Sequence, residues 1–360
     1  MEKKRIGILT SGGDCPGLNA VIRGVVRAAD KLDWEVVGFI DGFEGLLQPG
    51  DYRILDRHST AHIMPQGGTI LGTTNKGHFI SKIGAGDKIG VAPETVENAR
   101  EILHKLRIEG LILVGGDGSL TTGQQLYEAG FPIIGVPKTI DNDLEATAMT
   151  FGFDSAVACV ADALDRLHTT GNSHKRVMVL EVMGRHAGWI ALYGGLAGGA
   201  NVILIPEIPF TYERLAEYLK GRDEDGYSSS LVVVAEGAKA AGGSQSVRAS
   251  AVAGEYKLGG IGEQVAAEIA ARTGKETRCT VLGHLQRGGT PTSLDRILGT
   301  RFGVKAVQLI KEGHFGTMVS YLNYQVTGVP IAEAVHKLRV VSPSHQMVET
   351  ARAVDVCFAD

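Results

Sequence analysis

Three times before residue 144, a short run of apolar residues ends in a turn carrying aspartate, twice beside paired glycines. The runs are Arg5–Thr10, Gly110–Val114 and Ile133–Val136, and the turns are SGGDCPGLNA from Ser11, GGDGS from Gly115 and PKTIDND from Pro137. Continuous apolar runs of this length read as strands buried on both faces, as in a parallel sheet covered by helices. Helical patterns lie between them, over about Gly17–Lys31 and Glu94–Leu106, the second with Ile102, Leu103 and Leu106 on one face. Val36–Ile40 adds another strand. Such alternation confines the chain to a parallel α/β sheet, whose ligands sit beyond the carboxyl ends of the strands.

The pattern restarts after Phe151. A helix over Asp154–Thr169 leads to a strand at Arg176–Glu181, a helix near Ala187–Gly198, strands at Asn201–Ile205 and Leu231–Ala235, and a helix over Gly260–Thr273. Ala238–Lys257 is polar, rich in Gly, Ser and Ala and without period, and reads as a mobile surface loop or insertion. A length of 360 residues predicts about two domains. The expectation is an α/β protein of two similar three-layer domains with mainly parallel sheets, facing one another, the active site in the cleft between them.

Bulk properties exclude several function classes. Hydrophobic residues at 44% and charged residues at 21% are globular proportions, and a net charge of −4 without a basic run argues against nucleic acid as a partner. Cys15, Cys159, Cys279 and Cys357 are scattered without metal-ligand spacing, which fits free thiols in a reducing compartment. The chain starts without an apolar leader, and no stretch reaches the roughly 18 apolar residues of a membrane span. A soluble cytoplasmic protein with no membrane partner is expected.

Each turn has a chemical reading and a plainer one. Gly12 and Gly13 let the backbone approach a phosphate at a helix N-terminus, or serve only the geometry of a strand–helix turn. Gly115, Gly116 and Gly118 open a second such turn, where Ser119 caps the next helix and donates to a phosphate oxygen. There Asp117 either meets Mg²⁺, which takes one or two carboxylates plus phosphates and water, or caps the helix. In the third turn Asp141 and Asp143 lie two apart, so an extended backbone points both the same way, one as general base and the other orienting. Thr139 adds a hydroxyl and Lys138 a charge for phosphate; a solvated Asx-rich turn is the alternative. Arg176, Arg185, Arg278, His284 and Arg287 stand near strand ends and Gly-rich turns, where they compose a sugar-phosphate pocket, with Glu236 accepting from sugar hydroxyls.

The ordered set SGGDCPGLNA, GGTILGT, GGDGS, PKTIDND, EVMGRHAG, AEG and TVLGHLQRGG closely resembles the phosphofructokinase family across almost the whole chain. The resemblance implies phosphorylation of fructose 6-phosphate at its 1-hydroxyl, with Mg²⁺ as cofactor and ATP as co-substrate. It implies a donor-binding domain of residues 1–152 plus about 286–336, and a sugar-phosphate domain of 153–285 plus about 337–360. Gly12, Gly13, Asn75, Lys76, Gly116, Asp117, Gly118 and Ser119 would hold the donor, with Asp117 at the metal. Asp141 would be the base, with Thr139, Asp143 and Arg185 in the catalytic set. Thr139, Ile140, Asp141, Met183, Gly184, Arg185, Glu236, His284, Leu285, Gln286 and Arg287 would bind the sugar phosphate. Arg176 and Arg278 would reach in from a neighbouring subunit of a homodimer or homotetramer.

Two positions depart from the well-known bacterial ATP enzymes. Lys138 stands where they carry Gly and pyrophosphate-using relatives carry Lys; Gly118 stands where those relatives carry a second Asp. Gly118 leaves room for a nucleotide α-phosphate, which favours ATP. Asn75 and Lys76 replace an Arg-Phe pair near the donor phosphates. The rival readings are a pyrophosphate-dependent phosphotransferase on the same fold and a non-catalytic nucleotide-binding regulatory protein. An NAD or lipid kinase would lack the TIDND and HLQRGG segments, and a dehydrogenase would need a GxGxxG after the first strand.

Overall fold

The apolar run Arg5–Thr10 forms β1, buried at every position after the first, and sits at the heart of the larger of two sheets. From it the chain runs through α1 (Leu18–Asp30), β2 (Glu35–Phe39), β3 (Tyr52–Leu55), α2 (Pro93–Lys105), β4 (Ile108–Gly115), α3 (Asp117–Glu128) and β5 (Ile133–Pro137). Next come α4 (Phe153–His174), β6 (Val177–Val182), α5 (Trp189–Ala197), β7 (Val202–Leu204), α6 (Tyr212–Glu224), β8 (Ser230–Ala235), β9 (Val247–Ala249) and β10 (Tyr256–Leu258). The last are α7 (Ile261–Thr273), β11 (Thr277–Val281), α8 (Ser293–Glu312), β12 (Thr317–Leu322), β13 (Gln325–Pro330), α9 (Ile331–Ala334) and α10 (Gln346–Ala353). This computed structural model describes residues 3–79, 90–249 and 256–360. Its contacts divide into two units: Met1–Ile140, Leu144–Ser155 and Arg287–Leu338, and then Asp141–Asp143, Ala156–Gln286 and Arg339–Asp360.

In the first unit seven strands follow the order β13-β12-β5-β4-β1-β2-β3. The inner five are parallel, while β3 and β13 run antiparallel at the two edges. Leu9, Leu111, Leu113 and Ile133 form one core with Ile102 and Leu103 of α2 and Leu120 and Leu126 of α3. Alternation sends Ile6, Ile8, Ile112 and Val114 to the other face, where they are equally buried and where α1 and α8 pack. The second unit has four parallel strands, β11-β6-β8-β7. Their core joins Val177, Val202 and Val232 to Leu215 of α6 and Ile261 and Val265 of α7.

The parallel α/β class is therefore as expected, and the two sheets differ in size and in their edges. The β12–β13 hairpin turns through Asn323 and Tyr324, both at positive φ (49° and 63°), a tight two-residue link without the Asn-Gly signal that would have marked it in the sequence. The segment 238–257 is not wholly a loop: Val247–Ala249 and Tyr256–Leu258 pair antiparallel, Tyr256 opposite Ala249 and Leu258 opposite Val247. Residues 250–255 lie outside the described residues.

α1 and α8 cross at backbone contact. A Cβ on Gly303 would lie 2.4 Å from Val21 O, one on Gly24 2.8 Å from Thr300 O, and one on Gly299 3.0 Å from Gly17 O. Glycine inside a helix costs about 1 kcal/mol against alanine, so these positions trade helix propensity for close approach. The contact matters because Gly17, at φ 106°, is the N-cap of α1 and closes the first Gly-rich turn. Replacing Gly303 by Ala should reverse the usual propensity gain and destabilise the fold by about 1–3 kcal/mol. Thermal or urea unfolding checks this, and an unchanged or raised midpoint would contradict the packing described.

Candidate active site

Three turns at the carboxyl ends of β1, β4 and β5 are tied, together with the segment 66–79, into one cradle in the first unit. Gly12 N donates to Thr74 O (3.0 Å), and Ser11 N to Val114 O (2.9 Å). Thr73 Oγ1 donates to Gly12 O (2.7 Å) and Thr10 Oγ1 to Gly72 O (2.7 Å). Lys138 N donates to Gly115 O (2.9 Å) and its Nζ to Gly13 O (2.5 Å). Asn19 completes the arrangement from α1: its Nδ2 donates to Gln66 O (3.1 Å), and its Oδ1 accepts from Ile70 N (2.9 Å). The 66–79 segment is thereby clamped to the β1–α1 turn.

These segments enclose a cavity of about 250 Å³, and Gly12, Gly13, Asn75, Lys76, Gly116, Asp117, Gly118, Ser119 and Lys138 all line it. Every residue expected to hold the donor thus faces one space. Ser11, Phe43, Glu44, Thr74, Phe79 and Thr122 line it too and were not singled out in the sequence. Phe43 and Phe79 stack at 5.2 Å, and Glu44 accepts from His78 N (2.8 Å). α3 opens onto the cavity with its N-terminal amides, a favourable place for anions. Gly116 is its N-cap and no side chain caps it. The expected cap by Ser119 is therefore corrected: Ser119 lies within the first turn and donates to Ser11 Oγ (3.0 Å).

The donor set fits Mg²⁺ arriving with a polyphosphate. Asp117 is a half-buried carboxylate on the cavity wall. No group of three or more His, Cys, Asp or Glu that would hold an ion occurs among the described residues. Phosphate oxygens and water would have to complete the coordination, which is the habit of Mg²⁺.

The PKTIDND turn is not extended. Asn142 sits at φ 51° and is buried, a conformation asparagine tolerates better than most residues. The inference that Asp141 and Asp143 point the same way by alternation is withdrawn for that reason. Thr139 O accepts from Thr150 Oγ1 (2.7 Å) and Asp143 O from Arg339 N (2.9 Å). Ile140 is 1% exposed, so its side chain belongs to the packing and only its backbone is available to a ligand.

In the second unit the ends of β6, β8 and β11 gather another set. Glu236 N donates to Val182 O (2.8 Å), Gly237 N to Gly184 O (3.1 Å) and Leu282 N to Glu181 O (3.0 Å). Gly184, at φ 136°, has no room for a Cβ, which would lie 2.8 Å from Ala187 O. Met183, Gly184 and Arg185 follow β6, Glu236 follows β8, and His284 and Leu285 follow β11. Gln286 is 1% exposed; it accepts from Met183 N (3.3 Å) and donates to Gly283 O (3.0 Å), so both ends of its amide bind the fold. Arg287 belongs to the first unit, where its Nη1 donates to Asp14 O (3.2 Å).

Arg176 does not open a strand end of this group. It precedes β6, at the end opposite Met183, and Arg278 pairs in register with Met178. A six-residue strand spans about 20 Å, so one protomer cannot bring all five cationic residues into a single pocket, as the strand-end reading had grouped them.

A buried support lies under the first turn. Burial pushes the Cys15 thiol up to about 12, so this residue of SGGDCPGLNA is packing rather than a nucleophile. Asp295, fully buried in α8, accepts from Ser155 N (2.8 Å) and Ser155 Oγ (2.6 Å).

These features define an α/β protein whose Gly-rich turns at the carboxyl ends of parallel strands line one cavity. Comparison with known proteins makes the class specific. The phosphofructokinase family model matches residues 5–310. The ATP-dependent 6-phosphofructokinase of Chloroflexus aggregans is 52% identical over 359 residues, covering 100% of this chain and 99% of that one. The pyrophosphate–fructose 6-phosphate 1-phosphotransferase of Amycolatopsis methanolica is 49% identical over 342 residues, 94% of this chain and 96% of that one. Among solved structures, the phosphofructokinase of Pichia pastoris in the T-state superposes with a TM-score of 0.80 at 31% identity, over 99% of this chain. This chain spans 37% of that longer one. The chain belongs to the phosphofructokinase family.

Burial raises the Asp295 carboxyl from 3.8 to about 6, against the opposing hydrogen bonds from Ser155. The folded protein then keeps a proton that the unfolded chain releases, so this residue's contribution to stability falls as pH rises from about 4 to about 6. Asp295→Asn cannot ionise. Its stability relative to the parent should rise by roughly 2–3 kcal/mol between pH 4 and pH 7, any constant packing change cancelling in the difference. A difference that stays flat across that range, measured by denaturant unfolding, would refute the assignment.

Proposed function

We propose that this protein transfers the terminal phosphoryl group of Mg-ATP to the 1-hydroxyl of fructose 6-phosphate, giving fructose 1,6-bisphosphate and ADP. The observation that carries the donor is at Gly118: it lines the cradle, and a Cβ there would meet nothing within 4 Å. That open space is what a nucleotide needs beyond its last two phosphates. Lys138 favours a second reading, pyrophosphate as donor, which the Amycolatopsis relative uses by name. Its Nζ is engaged on the Gly13 carbonyl and the residue is 4% exposed, so its charge serves the turn itself. ATP-dependent relatives at 52% and 46% identity stand with the first reading.

In this reading the first unit holds the donor and the second the sugar phosphate. Asp141 takes the proton of the attacking hydroxyl, Asp143 and Thr139 flank it, and Arg185 meets the transferring group. Met183, Gly184, Glu236 and His284 of the second unit hold the sugar phosphate. Asp117 would hold Mg²⁺, which would supply charge that neutralises the phosphates. Positioning and fixed electrostatics account for most of the rate, since phosphoryl transfer needs little covalent help. The active assembly is a homodimer or homotetramer in the cytoplasm, with Arg176 and Arg278 serving the neighbouring subunit. Among the described residues no helix is long and apolar enough to cross a membrane.

Purified protein with fructose 6-phosphate and Mg²⁺ should form the bisphosphate with ATP and not with pyrophosphate; the reverse would overturn the donor. Gly118→Asp should raise the KM for ATP at least about tenfold while leaving that for the sugar within about twofold, because a new carboxylate repels the donor alone. Asp141→Asn should lower kcat by roughly 10²–10⁴ with sugar-phosphate binding retained by calorimetry. Retained turnover would remove Asp141 from the role of base.

A further inference from the structure

Glu276 immediately precedes β11 and Arg278 is the second residue of that strand. β11 pairs in parallel with β6, Thr277 opposite Val177 and Arg278 opposite Met178. Val177 N donates to Glu276 O (3.1 Å), which sets Arg176 beside Glu276. The side chains meet: Arg176 Nη2 donates to Glu276 Oε1 at 2.8 Å, and Arg278 Nη2 donates to that same oxygen. Two like charges are thus joined through a single anion. Arg278 is 56% and Glu276 45% exposed, while the buried Arg176 Nε has no acceptor among the described residues.

We infer that Glu276 is a positioning residue that keeps Arg176 and Arg278 side by side as a two-arginine clamp for the phosphate monoester of the sugar. This rests on the proposed reading that those arginines receive that phosphate, and it adds a residue which none of the motifs singled out. Two effects oppose each other. The carboxylate repels an incoming dianion, but its charge is already offset by the two guanidinium groups that share its oxygen. Leaving a long arginine disordered weakens binding by a factor of roughly two to ten for each side chain that must be fixed. With two arginines to order, preorganisation outweighs repulsion.

The test uses the full-length enzyme and measures the Kd of fructose 6-phosphate by calorimetry, with steady-state kinetics beside it. Glu276→Ala and Glu276→Gln should raise Kd and KM for fructose 6-phosphate about tenfold, with kcat within about threefold and the KM for ATP unchanged. Glu276→Asp, which keeps the charge, should recover part of the loss. A merely structural role would instead lower thermal stability and move both substrates' KM together. Arg176→Ala and Arg278→Ala separate the two levels of inference. If they weaken fructose 6-phosphate binding while Glu276→Ala leaves it unchanged or tightens it, the clamp is wrong and the proposed site stands. If the arginine variants bind normally, the site reading itself fails.

Discussion

The first unit depends on one requirement: backbone amides at the carboxyl ends of parallel strands must stay open to a ligand while the carbonyls beside them find partners inside the protein. Buried main-chain groups left unpaired are costly, and glycine-rich turns offer few side chains to pair them. Here the partners come from elsewhere in the chain. Thr73 Oγ1 and Lys138 Nζ take the Gly12 and Gly13 carbonyls, and Thr10 Oγ1 takes Gly72 O. Once these bonds form, turns more than 100 residues apart in sequence become one wall. The cavity geometry follows from that closure more than from any single motif.

The support beneath the cradle is of a different kind. α8 meets α1 at Gly303, Gly299 and Gly24 without intervening side chains, so the N-cap Gly17 is fixed by backbone contact. Asp295 and Ser155 tie the start of α8 to the start of α4. A helix late in the chain therefore holds an early turn in place. Its charged residue is buried at some electrostatic cost, visible as the upward pull on the Asp295 carboxyl. Cost of this sort is tolerated where geometry at a site is worth more than stability.

Much of this was legible in the sequence. Apolar runs of five or six residues ending in Gly-Gly-Asp announce buried strands and the turns after them, and Gly12, Gly13, Gly116, Asp117 and Gly118 indeed share one cavity. The parts that stayed hidden have physical reasons. Asn19 sits within a motif, but its partners Gln66 and Ile70 lie 47 and 51 residues away, and a long-range hydrogen bond leaves no periodic trace. The relation of Asp141 to Asp143 was misread because one left-handed residue, Asn142, breaks the two-residue alternation. Gln286 looked like a ligand contact because of its neighbours, whereas burial assigns it to the scaffold. Arg176 stands at the amino end of β6, opposite Met183, and grouping it with residues near other strand ends overlooked which end each occupies.

The mixed pair Lys138 and Gly118 can be resolved by asking what each position is able to sense. In the proposed reading ATP and pyrophosphate both present two linked phosphates to the amides around Gly13. A lysine bonded to the Gly13 carbonyl serves the turn alike in either case, so it does not sort the two donors. Only position 118, open on the cavity side, meets the group attached beyond those two phosphates. A carboxylate there would oppose a third phosphate by about 4 kcal/mol for each unit charge at 4 Å in a partly screened site, enough to exclude a nucleotide. Glycine imposes no such barrier. On the proposed reading, then, the residue without a side chain sets the donor, and the charged residue sets how firmly the turn is held.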